Sequence, residues 1–395
     1  MSLDTGRVRA QFPALVDGTT YFDGPGGSQT PEAVAQAVAD AFRAGLSNRG
    51  SVSGSERRAE ALVLGARGAL ADLLGADPGG VVLGRSMTQL TFDMSRALAK
   101  QWGPGDEVVV TRLDHDANIR PWVIAAERAG ATVRWVDLDP TTGELLWDPS
   151  VLSEHTRLVA VTAASNLLGT RPDVPAIAAD VHAAGALLYV DGVHLTPHAP
   201  VDVRALGADL YACSPYKFFG PHLGAVVAAP DLLATLHPDK LLPSTDAVPE
   251  RFELGTLPYE LLAGVIAAVD VIAGLVPAEG SRRARVLASM TAAEEHETAL
   301  LEQLLAGLAD LPVTVHGSPA RRTPTVLFSV QGRTDREVYE ALAAQGVNVP
   351  ASSFYALEAS RRMGLGDAGA LRAGLAPYTD ESDVKCLLSG LAALT

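Results

Sequence analysis

From about residue 57 to about residue 230, short β-branched apolar runs alternate with longer segments of helical character. The runs VVLG (81–84), EVVVT (107–111), TVRWV (132–136), RLVAVTA (157–163), ALLYVD (186–191), DLYACS (209–214) and GAVVAA (224–229) predict seven strands. Several are almost continuously apolar, as expected of a largely parallel sheet with helices on both faces. Residues 88–101, 118–129 and 174–184 predict intervening helices, and the alternation is the pattern of an α/β protein. Beyond residue 258 the rhythm changes. An Ala/Leu/Val-rich helix (259–276) meets the loop VPAEGSRR, and a second long helix (283–309) follows. PVTVH (312–316), PTVLFSV (324–330), a helix at 335–345, GVNVP (346–350), ALRAGLA (370–376) and a last helix at 380–394 predict a smaller α+β domain.

Composition narrows the class. A chain of 395 residues is long enough for two domains, and 48% apolar with 19% charged residues fits an ordinary globular protein. A net charge of -15 argues against a nucleic-acid surface, which needs a dense positive face. Cys213 and Cys386 are too few for a disulfide framework or a four-thiolate metal site. The N-terminus lacks the basic start and long apolar run of a signal peptide. LLAGVIAAVDVIAGLV (261–276) is broken by Asp270 and is short of a membrane span. A soluble, cytoplasmic protein is expected. Lysine occurs only at Lys100, Lys217, Lys240 and Lys385, so lysine chemistry has few possible locations.

In open α/β sheets, ligands gather beyond the C-terminal ends of the strands. Five strand ends here carry polar or titratable groups: Ser86 and Thr88, Asp114 and His115, Ser165 and Asn166, Asp191 and His194, and Ser214 through Lys217. Asp191, in YVDGVH, is placed either to cap the next turn or to pair as a buried acid with a cationic ring nitrogen, as pyridoxal phosphate requires. Lys217 lies in YACSPYKFFGPHLG between aromatic residues. Desolvation there lowers an amine's pKa and makes it nucleophilic, whereas a surface lysine would snorkel to water. The strand-to-helix turn in LGRSMTQLT suits a phosphate, and an ordinary N-cap uses the same residues. His115, in RLDHDANIRPW, could stack on a flat cofactor or sit in an acidic surface turn. The chain has no HExxH or CxxC metal spacing, no GxSxG elbow and no Walker-type run.

Taken together, these segments resemble the class V aminotransferase family of pyridoxal-phosphate enzymes, in its cysteine desulfurase-like branch. The likeness runs in order through YFDGPGGSQTP (21–31), NRGSVSGS (48–55), RSMT (85–88), LDHDANIRPW (113–122), SNLLGT (165–170), VDGVH (190–194), SPYKFFGP (214–221), RFELGT (251–256) and LRAGLAPYTDESDV (371–384). It implies the type I fold of this cofactor class: a large cofactor domain over 21–276 and a small domain formed by 1–20 and 277–395. It implies that Lys217 attaches the cofactor and shuttles the Cα proton, Asp191 pairs with the pyridine nitrogen, and His115 stacks on the ring. Asn166 and His194 would stand on the ring-hydroxyl side, Asn166 also touching substrate. His194 replaces the family's usual glutamine. The phosphate would lie at Ser86, Met87 and Thr88 with Ser214 and Tyr216. Thr256 would be lent to a partner's phosphate in a homodimer with shared active sites. Arg372 would clamp the carboxylate of a small amino acid, and residues 49–55 and 349–358, including Arg49, Ser353 and Tyr355, would line its pocket.

Three departures stand out. Tyr216 replaces the histidine before the lysine, and Met87 replaces a small hydroxyl residue. VPASSFYALEASRRMGL (349–365) lacks the reactive cysteine of true desulfurases. Cys213 is expected in the core and Cys386 as a packing residue of the last helix. The expected activity is therefore β-elimination at a sulfur-bearing or similarly substituted Cβ, a C–S lyase without a persulfide cysteine. The same residues would equally serve an aminotransferase or an epimerase, and a non-catalytic binding partner of the same fold also stays open.

Overall fold

The computed structural model describes residues 2–394. Its main sheet contains the seven expected strands: β1 (Val81–Gly84), β2 (Glu107–Thr111), β3 (Thr132–Val136), β4 (Thr156–Thr162), β5 (Leu187–Asp191), β6 (Leu210–Cys213) and β7 (Gly224–Ala228). Their order across the sheet is β1-β7-β6-β5-β4-β2-β3. Only β7 runs against its neighbours, pairing antiparallel with β6 and with β1. The C-terminal ends of the other six therefore share one edge.

The apolar runs are explained by burial on both faces. Neighbouring residues in a strand point to opposite sides, and the two sides feed two different cores. Val109, Val159, Leu188 and Val190 enter one cluster, while Val108, Val110, Leu158 and Tyr189 enter the other. The first core is closed by α2 (Gly54–Leu74), α5 (Val174–Ala183) and α6 (Tyr259–Ala273), which follow α1 (Glu32–Arg43) and flank the pair α3 (Met87–Ala99) and α4 (Arg120–Ala129) in sequence. The second is closed by α3 and α4, with Trp122 fully buried at its centre. A polar residue in the middle of a central strand would face a core, so polar groups collect at the strand ends and on the edge strand β3.

The remaining elements form the smaller unit. A four-stranded antiparallel sheet has the order β10 (Ala351–Ser352), β11 (Ala370–Gly374), β9 (Thr325–Val330), β8 (Val313–His316). Helices α7 (Arg282–Ala309), α8 (Asp335–Ala343) and α9 (Glu381–Ala392) pack on it through Leu304, Leu342 and Leu387. α7 ties the units together: Val286 and Met290 lie in the first large core, and Leu300 to Leu308 in the small one. Residues 1–20 were expected with the small domain. Val8 and Phe12 pack in the large core, and the chain reaches the small core at Phe22.

Two local expectations change. GVNVP (346–350) is not one strand: Val347–Asn348 pairs in parallel with Thr20–Tyr21, and β10 begins after Pro350. Proline has no N–H to give a ladder, so pairing restarts beyond it. Cys386 is exposed rather than packed, and only Cys213 is buried. Among the described residues, no helix is long and apolar enough to cross a membrane.

Candidate active site

The shared strand edge opens into a cavity of about 680 Å³. The turn after β1 contributes Ser86, Met87 and Thr88. Ser86 caps α3, its Oγ accepting from the Gln89 N–H at 3.1 Å. The first backbone N–H groups of a helix have no partner within it and favour an anion. Gly224 makes this turn possible, because a Cβ there would lie 2.2 Å from the Met87 nitrogen. Ser214 and Tyr216 border the same cavity from the end of β6.

Lys217 follows in a short turn, with Nζ hydrogen-bonded to the Pro25 carbonyl. Burial, assisted by the Arg372 charge, lowers its pKa to about 7, and Asp191 opposes the shift. Asp191 ends β5 and is itself buried, which raises its pKa to about 6 against the pull of the Val193 N–H and of Lys217. The Val193 N–H donates to its Oδ1 at 2.9 Å. A neutral amine and an ionised acid can thus coexist near pH 7.

His115 lies beyond β2 with Nδ1 accepting from the Ala117 N–H at 3.0 Å. Burial and then the Lys217 charge depress its pKa to about 4, so the ring is neutral. Below it, Asp114 is held by the Thr111 hydroxyl and the Asn118 amide, and burial lifts its pKa to about 8. This second acid is mostly protonated at neutral pH and anchors the loop that carries His115. His194 is buried with Nε2 3.0 Å from both the Thr323 and Thr325 hydroxyls, while its Nδ1 has no partner. Burial drives its pKa well below the ordinary value.

Arg372, on β11, reaches across from the small unit and is almost fully buried. Burial lowers its pKa to about 9, opposed by Asp23, so it stays cationic. No carboxylate oxygen of the described residues lies within ion-pair distance of it. One of its nitrogens donates to the Asn166 carbonyl at 2.8 Å. Asn166 in turn donates from Nδ2 to the Phe354 carbonyl at 2.9 Å.

Two expected residues lie elsewhere. Arg49 does not border the cavity: its Nε pairs with Glu60 at 2.7 Å and its Nη2 with Glu250 at 3.1 Å. Ser353 turns away, and its neighbours Ser352 and Phe354 take the lining position. Thr256 is exposed in a separate hollow of about 260 Å³ with Arg85 and His222. Tyr355 does line the cavity. Phe354, within the expected 349–358 stretch, lines it as well, and so do Asp116 and Arg120, which were not expected there. Asp116 and Arg120 stand one turn apart beside His115, a spacing that could have signalled a shared face.

The profile described as Aminotransferase class-V matches residues 20–387. The chain belongs to the class-V aminotransferase family. Within it, the chain is 37% identical over 401 residues to an uncharacterized protein of Mycobacterium tuberculosis (strain CDC 1551 / Oshkosh), across 100% of both chains. It is 30% identical to a cysteine desulfurase of Klebsiella pneumoniae subsp. pneumoniae, covering 99% of this chain and 98% of that one. The crystal structure of the cysteine desulfurase CsdA from Escherichia coli superposes with a TM-score of 0.85 at 26% identity, covering 100% of this chain and 98% of the other. This class-V aminotransferase is accordingly a pyridoxal-phosphate-dependent enzyme of the type I fold, in the cysteine desulfurase-like branch. The cavity suits that cofactor. Asn166 Oδ1, His194 Nδ1 and Arg372 Nε are buried there without protein partners, as in a pocket built around a polar guest.

Proposed function

We propose that this class-V aminotransferase is a C–S lyase that expels a sulfur leaving group from Cβ of a small amino acid without a persulfide on the protein. The observation that carries this reading is the missing thiol. Among the described residues, Cys213 is buried and Cys386 exposed, and neither borders the cavity. Burial also pushes the Cys213 thiol up to about 12, which makes it inert at neutral pH.

When bound, pyridoxal phosphate supplies an aldehyde for the substrate amine and a cationic ring that accepts electrons released at Cα. Its phosphate is assigned to the α3 N-terminus, with Thr88, Ser214 and Tyr216. The ionised Asp191 holds the proton on the ring nitrogen, and the neutral His115 offers a flat face without a competing charge. Asn166 and His194 stand at the ring-hydroxyl side. Arg372 binds the substrate carboxylate through its planar fork. Lys217 takes the Cα proton at Nζ. The Cβ–S bond then breaks, and sulfur leaves with the bonding pair as a thiolate or persulfide. The released enamine reacts with water to give pyruvate and ammonia. Thr256 is assigned to the phosphate of a second copy in a homodimer, a reading supported by its exposure outside its own cavity. The two unpaired cysteines agree with work in a reducing cytoplasm.

Holoenzyme given cysteine, cystine or a cysteine sulfoxide is expected to release pyruvate and ammonia together with sulfide, cysteine persulfide or the matching sulfenic acid, respectively. A keto acid that retains the sulfur, a D-isomer or alanine in place of these products overturns the lyase reading. The Lys217 amine also sets a pH dependence. A lysine titrating near 7 captures an aldehyde only when neutral, so the rate of reconstitution from cofactor-free protein should fall about tenfold per unit below pH 7 and level off above it. Stopped-flow absorbance across pH 5 to 10 measures this, and a rise that continues toward pH 10 would contradict the depressed value.

A further inference from the structure

Arg372 is buried without an acidic hydrogen-bond partner, yet it is firmly placed. Its guanidinium carbon lies 3.6 Å from the centroid of the Phe354 ring. Its donor to the Asn166 carbonyl, and the Asn166 amide's donor to the Phe354 carbonyl, complete a closed circuit among three segments distant in sequence. The turn that presents Phe354 is unusual. Phe354 and Tyr355 have φ of 51° and 60°, a left-handed conformation that bulky side chains disfavour. It is held open by the Asp116 N–H, which donates to the Tyr355 carbonyl at 2.7 Å, and by the His115 ring stacked on Tyr355 at 5.5 Å. Two successive disfavoured residues persist only where the surroundings enforce them. Here His115, Asp116 and Asn166, which contact the turn, all line the cavity.

The physical effect of this arrangement differs from that of a salt bridge. An acid beside Arg372 would neutralise it and occupy its donors. An aromatic face attracts the cation from the side, leaves the charge intact, and leaves the edge of the planar fork free for a carboxylate. Asp23 adds charge compensation without a direct hydrogen bond to the guanidinium.

We propose that Phe354 is a positioning residue that fixes the plane of the Arg372 guanidinium and so sets the enzyme's affinity for the substrate carboxylate. The inference rests on the reading that Arg372 binds that carboxylate. It does not depend on which bond the enzyme breaks.

The test uses holoenzyme titrated with propionate and, as a control lacking the charge, propionamide, followed by the cofactor's absorption. Wild-type protein should bind propionate alone, and Arg372→Met should lose that binding. Phe354→Leu should weaken propionate about tenfold and raise KM for the turned-over amino acid by a similar factor, with kcat falling less than about threefold. Phe354→Tyr, which keeps the ring, should restore both values. Phe354→Met provides an apolar side chain without a ring face should the leucine variant fold poorly. If Arg372→Met loses propionate while Phe354→Leu and Phe354→Met bind it as wild type does, the positioning role is wrong and the role of Arg372 survives. If Arg372→Met still binds propionate, the carboxylate assignment itself is overturned, and the proposal with it.

Discussion

Lys217→Ala is expected to lower turnover by on the order of 10³-fold or more and to remove the covalent cofactor from the chain. The size follows from two roles lost together: the attachment point and the base for the Cα proton. No other lysine can replace it. Lys100 is bound to the His237 carbonyl and to Asp239, and Lys240 to the Ser244 carbonyl and Asp246. Lys385 lies exposed beside Glu381 on the last helix. None of the three borders the cavity. Borohydride reduction followed by peptide mass spectrometry should place the cofactor on the peptide containing Lys217 in the wild type and on no peptide in the variant. An adduct on any other lysine would refute the assignment. Lys217→Arg should fail equally, since it keeps the charge but offers no amine that titrates near neutrality.

Asp191→Asn should have the second largest effect, about 10² to 10³-fold in kcat, because the amide keeps the shape and loses the charge that holds a proton on the ring nitrogen. A separate effect on stability should accompany it. Burial raises the Asp191 pKa to about 6 in the folded chain. The folded state therefore holds this proton more tightly than the unfolded state does. The group's contribution is most favourable at low pH and is lost as pH rises through 6. At pH 7 to 8, removing the buried charge should stabilise cofactor-free protein by up to about 3 kcal/mol. Thermal melting of cofactor-free wild type and variant at pH 5 and pH 8 measures this, with a gain at pH 8 about twice that at pH 5. Equal melting at both pH values would mean that Asp191 is not strained by burial. A gain in stability joined to a loss of rate is the trade expected when an acid is held in a dry site for function.

The contrast between Arg49 and Arg372 shows how far residue-level reading reaches. Both arginines are set in segments that resemble the family, and both were expected to meet substrate. Arg372 reaches the cavity because β11 is pinned between β9 and β10. Arg49 is diverted by Glu60 and Glu250, the latter 201 positions away in sequence. Ser353 misses the cavity at the start of the turn beyond β10, while Ser352, Phe354 and Tyr355 line it.

The order of apolar and polar positions was enough to determine the strands, their shared edge and the residues on that edge. The central strands are buried on both faces, so their middles admit few polar groups, and this information is local. Lys217, Asp191, His115 and Asn166 are legible for that reason. Only the tertiary structure decided which charges neutralise one another, which side of the 352–355 turn faces inward, and that Phe354 lies on Arg372. Those outcomes depend on pairs brought together from distant parts of the chain, and on the water excluded when they meet, and neither leaves a periodic trace in the order of residues.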